Sequence, residues 1–175
     1  MNTNIIYVYK WKSPVGDMIL GSIGDKVCIC DWALEKRRGV IDRRICRVLD
    51  AEFVGGISPT IEKMIKELNE YFAGERKGFD LPIQFAGSEF QCRVWAELMK
   101  IPYGETISYS ELARRIDNPK AVRAVASANA TNPISIFVPC HRVIGSNRKL
   151  TGYGGGLDAK QALLSLENPD KNLFA

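Results

Sequence analysis

Residues 108–130, SYSELARRIDNPKAVRAVASANA, decide the fold that we expect for the second half of the chain. Ser108 and Glu111 have the spacing of a capping box, which predicts that a helix begins after Ser108. The Asp-Asn-Pro sequence at 117–119 would end this helix, with Asn118 capping a second helix and the proline at its first position. Two short helices joined by three or four residues predict a helix-turn-helix.

The second of these helices has little side-chain bulk. Alanine occupies five of its positions: Ala121, Ala124, Ala126, Ala128 and Ala130. Small side chains let a helix approach another surface closely, and that surface is either a neighbouring helix or a polyanion such as DNA. Residues 108–149 carry seven basic and two acidic side chains. This charge is compatible with a DNA-binding patch and also with a solvated face, so both interpretations stay open at this point.

The only histidine of the chain lies just beyond this helix pair. An Asn-Pro pair at 132–133 ends the second helix, and the apolar residues 134–138, ISIFV, predict a buried strand that stops at the next proline. Cys140 and His141 follow directly. A free thiol has a pKa of about 8.5, and a neighbouring imidazole can take its proton and make it a nucleophile.

The adjacency of Cys140 and His141 has two explanations. Either the pair is catalytic, or an inert buried cysteine stands beside an incidental histidine. Neighbouring residues on a strand point to opposite faces, so a shared site requires that the strand ends before Cys140, or that a water bridges the two side chains.

A helix predicted over residues 157–167, LDAKQALLSLE, ends at Glu167, the candidate for the group that orients His141. A carboxylate at a helix C-terminus is unfavourable unless a positive charge compensates it, so Glu167 is either compensated or simply solvated. The glycine-rich segment at 145–156 lacks the Gly-Lys-Ser/Thr ending of a phosphate-binding P-loop. We therefore expect it to form a mobile pocket wall rather than a nucleotide site.

The first half predicts an α/β domain over residues 1–84. Three segments rich in β-branched and aromatic residues predict strands, since Gly and Pro separate them: IIYVYKWKSP, GDMILGSIG and KVCICDWAL. Ser58 followed by Pro59 predicts the start of the one helix of this domain, which would end before Gly74. Residues 75–87 contain glycines and a proline and predict a linker.

The remaining residues, 85–175, predict a mainly α-helical domain that contains the helix-turn-helix in a winged-helix-like arrangement. A capping box at Ser88 and Gln91 predicts that its first helix covers residues 89–100. No apolar run approaches the ~20 residues that span a membrane, and the first residues lack the features of a secretory signal. We expect a cytoplasmic protein, or a nuclear one in a eukaryote.

Five cysteines are present, so at least one is unpaired within the chain. Cys28 and Cys30 have the spacing of a metal-ligand pair, of a strained disulfide, or of two residues on one face of a strand. A zinc site normally draws on more cysteines or on histidines, and the single histidine follows Cys140. We therefore expect neither a metal nor a cofactor.

Several of these segments together resemble the O6-alkylguanine-DNA alkyltransferase family. They are the Asn-Pro pair at 132–133, IFVPCHRV, GYGGGL and the Leu-Glu that ends the last helix, and PCHRV at 139–143 is the most specific of them. The match runs without a gap over about residues 88–168. The N-terminal part matches only in its general plan of a strand-rich half followed by a helix.

The resemblance implies direct, single-use DNA repair by a monomer that binds double-stranded DNA in the minor groove. The damaged guanine would be flipped out, because a stacked base cannot present its alkyl carbon to a thiolate. Cys140 would attack that carbon on O6 and keep the alkyl group as a thioether, and O4-alkylthymine would be repaired more weakly. Glu167 would hold His141, which would deprotonate Cys140 through a water molecule.

Further roles carry over by position. Tyr109 would help to rotate the nucleotide and donate a proton to the leaving guanine, and Arg123 would fill the gap in the base stack. Asn132 would act as a hinge beside the active-site loop, and Lys160 would lie near the pocket. The remaining expected contacts are Ala124, Ser127 and Ala128 for DNA, and Val143, Tyr153, Gly154 and Gly155 for the guanine.

Two features of this chain depart from some relatives. Those relatives have serine where Gly154 stands, which leaves only backbone to contact the guanine oxygen. Some relatives bind zinc in the N-terminal domain through cysteines and histidines, and this chain has no histidine to spare for such a site. One alternative function is an alkyltransferase-like module that recognises the lesion without transfer, but such proteins replace the cysteine that is present here as Cys140. Another is a cysteine hydrolase, which needs an oxyanion hole for which the resemblance provides no residues.

Overall fold

A computed structural model describes residues 2–34 and 36–170 of the chain. Its residues form two compact units, Met1–Gly87 and Ser88–Ala175. The sequence predicted a boundary at 84/85, three residues earlier. None of the helices in the described ranges is long and apolar enough to cross a membrane.

The first unit is built on a four-stranded sheet with the strand order β3-β2-β1-β4. Its strands are β1 (Asn4–Ser13), β2 (Gly16–Ile23), β3 (Lys26–Trp32) and β4 (Ala51–Gly55). The first three are antiparallel neighbours, as their short connections require, and they coincide with the predicted strands. The fourth strand was not predicted, and it pairs in parallel with β1.

The first unit also contains two helices, so the prediction of one helix was wrong. Helix α2 (Pro59–Phe72) begins as predicted, since the Ser58 hydroxyl accepts a hydrogen bond from the Ile61 N–H at 3.0 Å. Helix α1 (Arg38–Val48) was missed because Arg37 stands at its cap position, where Ser, Thr, Asp or Asn would have signalled a start. It provides the crossover connection that the parallel strand β4 requires.

The segment 75–87 was predicted to be a linker, but it is bound to the edge of the sheet. The Val27 N–H of β3 donates to the Pro82 carbonyl at 2.8 Å, and the Gln84 N–H donates to the Val27 carbonyl at 2.8 Å. Arg76 forms an ion pair with Glu70 at 2.8 Å. These contacts make the segment part of the first unit.

The second unit is mainly helical, with α3 (Glu89–Leu98), α4 (Tyr109–Arg115), α5 (Val122–Ala130) and α6 (Leu157–Glu167). A short parallel pair, β5 (Ile107–Ser108) and β6 (Val143–Ile144), accompanies the helices. The capping box of Ser88 and Gln91 is present in both directions, as predicted. Buried Trp95 joins α3 to α5 by donating its indole N–H to the Ala128 carbonyl at 2.9 Å.

The predicted start of α5 was wrong. Asn118 does not cap it, because the chain first forms a turn in which the Ala121 N–H donates to the Asn118 carbonyl at 3.0 Å. The helix therefore begins three residues after Pro119, at Val122. Six residues, 116–121, join α4 to α5, rather than the three or four that were expected.

Candidate active site

The buried segment 134–138 is not a strand, contrary to the sequence prediction. Ile136 has a φ of +73°, which a β-branched residue rarely adopts, so the chain turns here instead of extending. The Asn132 side chain spans the turn. Its Nδ2 donates to the Val138 carbonyl at 2.9 Å, and its Oδ1 accepts from the Ile134 N–H at 3.0 Å. Asn132 thereby fixes the backbone that leads into Cys140.

The residues Cys140–Arg142 form one turn of 3₁₀-helix after Pro139. All three side chains are buried, with 4% of Cys140, 0% of His141 and 6% of Arg142 exposed. The Cys140 carbonyl accepts a hydrogen bond from Asn129 Nδ2 at 3.3 Å. Since the chain does not continue as a strand, the geometric objection to a shared Cys-His site does not apply.

Glu167, at the end of α6, lies against this turn. Its Oε2 is 2.7 Å from His141 Nε2. Arg142 donates to both carboxylate oxygens, from Nε to Oε1 at 2.7 Å and from Nη2 to Oε2 at 3.1 Å. The Gly104 N–H also donates to Oε1 at 3.2 Å. Arg142 therefore supplies the compensating charge that a carboxylate at a helix C-terminus requires.

These contacts fix the proton positions of the pair. Burial alone would raise the pKa of Glu167, but hydrogen bonds from His141 and Arg142 outweigh it and hold the pKa well below its usual range. Burial lowers the pKa of His141 against the effect of Glu167, and the charges of Arg142 and Lys160 lower it further. Because a carboxylate only accepts hydrogen bonds, the neutral imidazole donates from Nε2.

The other ring nitrogen of His141 then carries a lone pair. Nδ1 is buried, and no hydrogen-bond partner for it is present in residues 2–34 and 36–170. A buried nitrogen without a partner is uncommon, because it loses its hydration on folding. A general base for a thiol requires such an unprotonated nitrogen, and the residue before His141 in the chain is Cys140.

Two further predicted residues lie close to Cys140. The buried Lys160 ammonium donates to the carbonyls of Val143 at 2.7 Å and Thr151 at 3.0 Å, and it lies 6.0 Å from the centre of the Tyr109 ring. Burial lowers the pKa of Lys160 to about 8, and the nearby Cys140 opposes this shift. Burial raises the pKa of Tyr109 against a hydrogen bond with Thr151, and Cys140 adds to the rise.

A family model described as "6-O-methylguanine DNA methyltransferase, DNA binding domain" matches residues 89–169. The methylated-DNA–protein-cysteine methyltransferase of Methanosarcina acetivorans is 46% identical over 162 residues, which cover 93% of this chain and 98% of that relative. The chain belongs to the methylated-DNA–protein-cysteine methyltransferase family. The resemblance seen in the sequence is thereby confirmed.

Other members of this family agree with the assignment. The enzyme of that name from Mycolicibacterium paratuberculosis is 61% identical over 103 residues, covering 59% of this chain and only 62% of that relative. The crystal structure of the Mycobacterium tuberculosis O6-methylguanine methyltransferase has a TM-score of 0.80 and 40% identity, over 95% of this chain and 94% of that one. A structure described as Mycobacterium tuberculosis OGT in complex with DNA matches with the same TM-score and identity, over 94% and 93%.

The family positions expected to contact DNA lie on α5, outside the cluster around Cys140. Arg123, Ala124 and Ser127 are exposed on this helix. Ala128 is only 3% exposed, and its carbonyl accepts the Trp95 indole N–H. Ala128 therefore belongs to the face of α5 that packs on α3, and its predicted contact with DNA does not fit the structure.

The family positions expected to contact the guanine are divided between two segments. Val143 is buried in β6, where its carbonyl binds Lys160. Tyr153, Gly154 and Gly155 are half-buried in the irregular segment that precedes α6. Lys160, which lies close to Cys140, thus also binds the backbone of Val143.

Three residues of the site had no predicted role. Arg142 was part of the quoted motif. The one feature that could have singled it out is its positive charge at the end of a largely apolar segment. Asn129 binds the carbonyl of Cys140, 11 positions later, and Gly104 binds Glu167, 63 positions later. No local pattern marks such contacts, because they depend on how the helices pack.

The cysteines of β3 do not belong to a metal site in the described part of the chain, where no group of three or more His, Cys, Asp or Glu side chains could hold a metal ion. Cys28 and Cys30 are buried thiols, two residues apart on the strand. Burial, with a contribution from Cys46, raises the pKa of Cys28 to about 12. The Cys28 thiol is therefore protonated at neutral pH and is a poor nucleophile.

Proposed function

We propose that the chain repairs O6-alkylguanine in DNA by transferring the alkyl group to Cys140 Sγ in a single, irreversible turnover. The observation that carries this proposal is the buried Nδ1 of His141, the residue that directly follows Cys140, for which residues 2–34 and 36–170 provide no hydrogen-bond partner. The family assignment supports the same chemistry, since its members are named for cysteine methyl transfer from DNA.

The proposed reaction balances one bond formed against one bond broken. His141 Nδ1 takes the thiol proton of Cys140, directly or through one water, and the imidazolium is stabilised by Glu167 at 2.7 Å. The thiolate attacks the alkyl carbon, the S–C bond forms, and the C–O6 bond breaks. The electron pair leaves with the guanine, which takes up a proton from Tyr109.

Tyr109 suits the role of proton donor. A tyrosine phenol is protonated at neutral pH and can donate its proton, and the ring centre of Tyr109 lies 6.0 Å from the Lys160 ammonium. The positive charge of Lys160 would stabilise the phenolate after the proton leaves, and it would also stabilise the Cys140 thiolate before attack. The thioether product has no leaving group that water could displace, so the chain acts once.

We further propose that α4 and α5 act as a helix-turn-helix in the minor groove of double-stranded DNA, with a single chain bound at each lesion. The exposed face of α5 carries small side chains, which allow close approach to the sugar-phosphate backbone, and Arg123, which would fill the space of the flipped nucleotide. Tyr153, Gly154 and Gly155 would hold the flipped guanine. O4-alkylthymine would react more slowly in the same pocket.

The mass of the intact chain tests this proposal. After incubation with excess duplex DNA that contains O6-methylguanine, we expect a gain of one CH₂ per chain, located on Cys140 by peptide mapping. The Cys140→Ser variant should bind the same duplex without this gain. Repeated release of a small product would indicate a hydrolase. If the chain with Cys140 intact binds the duplex without a change in mass, it is a recognition module.

A further inference from the structure

The guanidinium of Arg142 is fixed by several contacts. It makes two hydrogen bonds to Glu167 and a third, from Nη1, to the Ile101 carbonyl at 2.6 Å. The Tyr103 ring lies against it, with the ring centre 5.7 Å from the guanidinium carbon. Such a planar, bidentate contact is specific to arginine and fixes the carboxylate in one orientation.

The pair formed by Glu167 and His141 can exist in two protonation states. With one proton, on Nε2, the carboxylate is ionised and Nδ1 carries a lone pair. With a second proton, the pair is either a carboxylate with an imidazolium or a carboxylic acid with a neutral ring. In the imidazolium form, and in the acid form when Oε2 donates to Nε2, Nδ1 bears hydrogen, so it cannot accept the thiol proton of Cys140.

A buried pair with a net negative charge binds a second proton readily unless a cation is close. We propose that Arg142 is a positioning residue that keeps the second proton off the Glu167–His141 pair and so leaves His141 Nδ1 available as a base. This inference rests on the proposed role of His141 in alkyl transfer. In this proposal Arg142 controls the protonation state of the pair and does not contact the substrate.

The other titratable groups around the pair are consistent with this role. Lys160 acts on His141 in the same direction as Arg142, but its hydrogen bonds go to backbone carbonyls. Tyr103 faces Glu167, and burial and the Glu167 charge raise its pKa, so it stays neutral. Arg142 is thus the cation whose hydrogen bonds reach both oxygens of the carboxylate.

The single histidine of the chain makes this inference directly measurable, because selective ¹⁵N-histidine labelling gives the signals of one imidazole ring. In the unmodified chain we expect a neutral ring with hydrogen on Nε2 and none on Nδ1 from about pH 6 to pH 8, a range that includes the ordinary histidine pKa. A ring that is protonated on Nδ1 at neutral pH would overturn the proposal without any variant.

Arg142→Met removes the charge and both contacts to Glu167 while retaining apolar bulk. The charge of Arg142 lowers the pKa of His141, and removing a nearby like charge favours the imidazolium, so we expect Nδ1 to become protonated near neutral pH. Transfer from the free base O6-benzylguanine should then slow at low pH and recover as the pH rises. A merely structural role would reduce the rate equally at every pH and leave the ring nitrogens unchanged, and that result would overturn the proposal.

Two other variants complete the test. Arg142→Lys keeps a cation but loses the bidentate contact, so we expect a smaller shift of the same kind, and this variant is decisive if Arg142→Met does not fold. Arg43→Met, on the exposed side of α1, is the matched control and should change neither the ring signals nor the pH profile. The ring signals do not depend on alkyl transfer, so a failure of the proposed function and a failure of this inference are distinguishable.

Discussion

Replacing Asn132 by alanine should destabilise the second unit and displace Cys140. The side chain of Asn132 is buried, and its two hydrogen bonds connect the ends of the turn at 134–138. Alanine can replace neither bond, and the site is too enclosed for free access of water. The backbone groups at both ends of the turn therefore lose a partner.

The expected cost follows from the partners that remain. The Ile134 N–H loses its bond to Asn132 and becomes a buried, unsatisfied donor, which costs about 1–3 kcal/mol. The Val138 carbonyl still accepts from the Cys140 N–H at 2.8 Å, so its loss is the smaller net value of about 0.5–1.5 kcal/mol. We expect the free energy of unfolding of the second unit to fall by about 2–4 kcal/mol.

Native-state hydrogen exchange of amides in α3 and α5 measures this free energy for the second unit, separately from the first. Asn118→Ala, at an exposed position in the same unit, is the matched control and should change it by less than about 0.5 kcal/mol. Transfer to Cys140 in folded Asn132→Ala should slow by about tenfold to a hundredfold, because the nucleophile is displaced. A variant as stable as the control would show that the turn does not depend on Asn132.

Three other substitutions separate the remaining roles. Arg123→Ala should repair duplex DNA much more slowly but affect transfer from free O6-benzylguanine far less, since nothing is flipped in that case; equal losses would make Arg123 structural. Gly154→Ser should improve transfer from methylguanine by at most about tenfold, which ~1.4 kcal/mol allows, and worsen benzylguanine relative to methylguanine; an unchanged ratio of second-order rate constants would exclude position 154 as a determinant of pocket size. Lys160 has a folded pKa of about 8 and an unfolded value of about 10.4. The folded chain therefore releases this proton first, and the free energy of unfolding should rise between these pH values by up to about 3 kcal/mol. Urea unfolding of Lys160→Met over the same range should lack this rise, and parallel pH curves for the two proteins would contradict the assignment.

The helix starts show which parts of the fold could be predicted from local sequence. Ser58 and Ser88 were correctly predicted to begin helices, because their hydroxyls bond to backbone N–H groups within the next three residues. Asn118 has the same chemistry, but the turn that follows it delays α5 to Val122. A cap residue indicates that a helix can start, and tertiary packing decides whether it does.

The apolar segment 134–138 shows a second limit. Hydrophobic runs of this length predict burial, which is correct here, but they do not distinguish a strand from an irregular buried segment. The backbone groups of such a segment must find partners other than a sheet. Asn132 provides two of those partners, so a residue outside the run determines its conformation.

Some residues of the candidate site could be predicted from the sequence and others could not. Cys140, His141 and Glu167 could be selected from the sequence as nucleophile, base and orienting carboxylate, and the structure brings His141 and Glu167 into contact. The function of Arg142 could not be predicted, since it depends on a contact with a residue 25 positions away. The adjacent residues identified the motif, but they did not reveal the ion pair between Arg142 and Glu167.

Three consecutive buried residues, Cys140, His141 and Arg142, would be costly if each lacked a partner. Three parts of the second unit hold them instead: Asn129 of α5 binds the Cys140 carbonyl, Glu167 of α6 binds the other two side chains, and the Ile101 carbonyl binds Arg142. The turn is therefore fixed only when these segments are packed together. This dependence makes the reactive geometry a property of the folded second unit, so variants that disturb the packing of α5 or α6 should lose transfer even where Cys140 itself is intact.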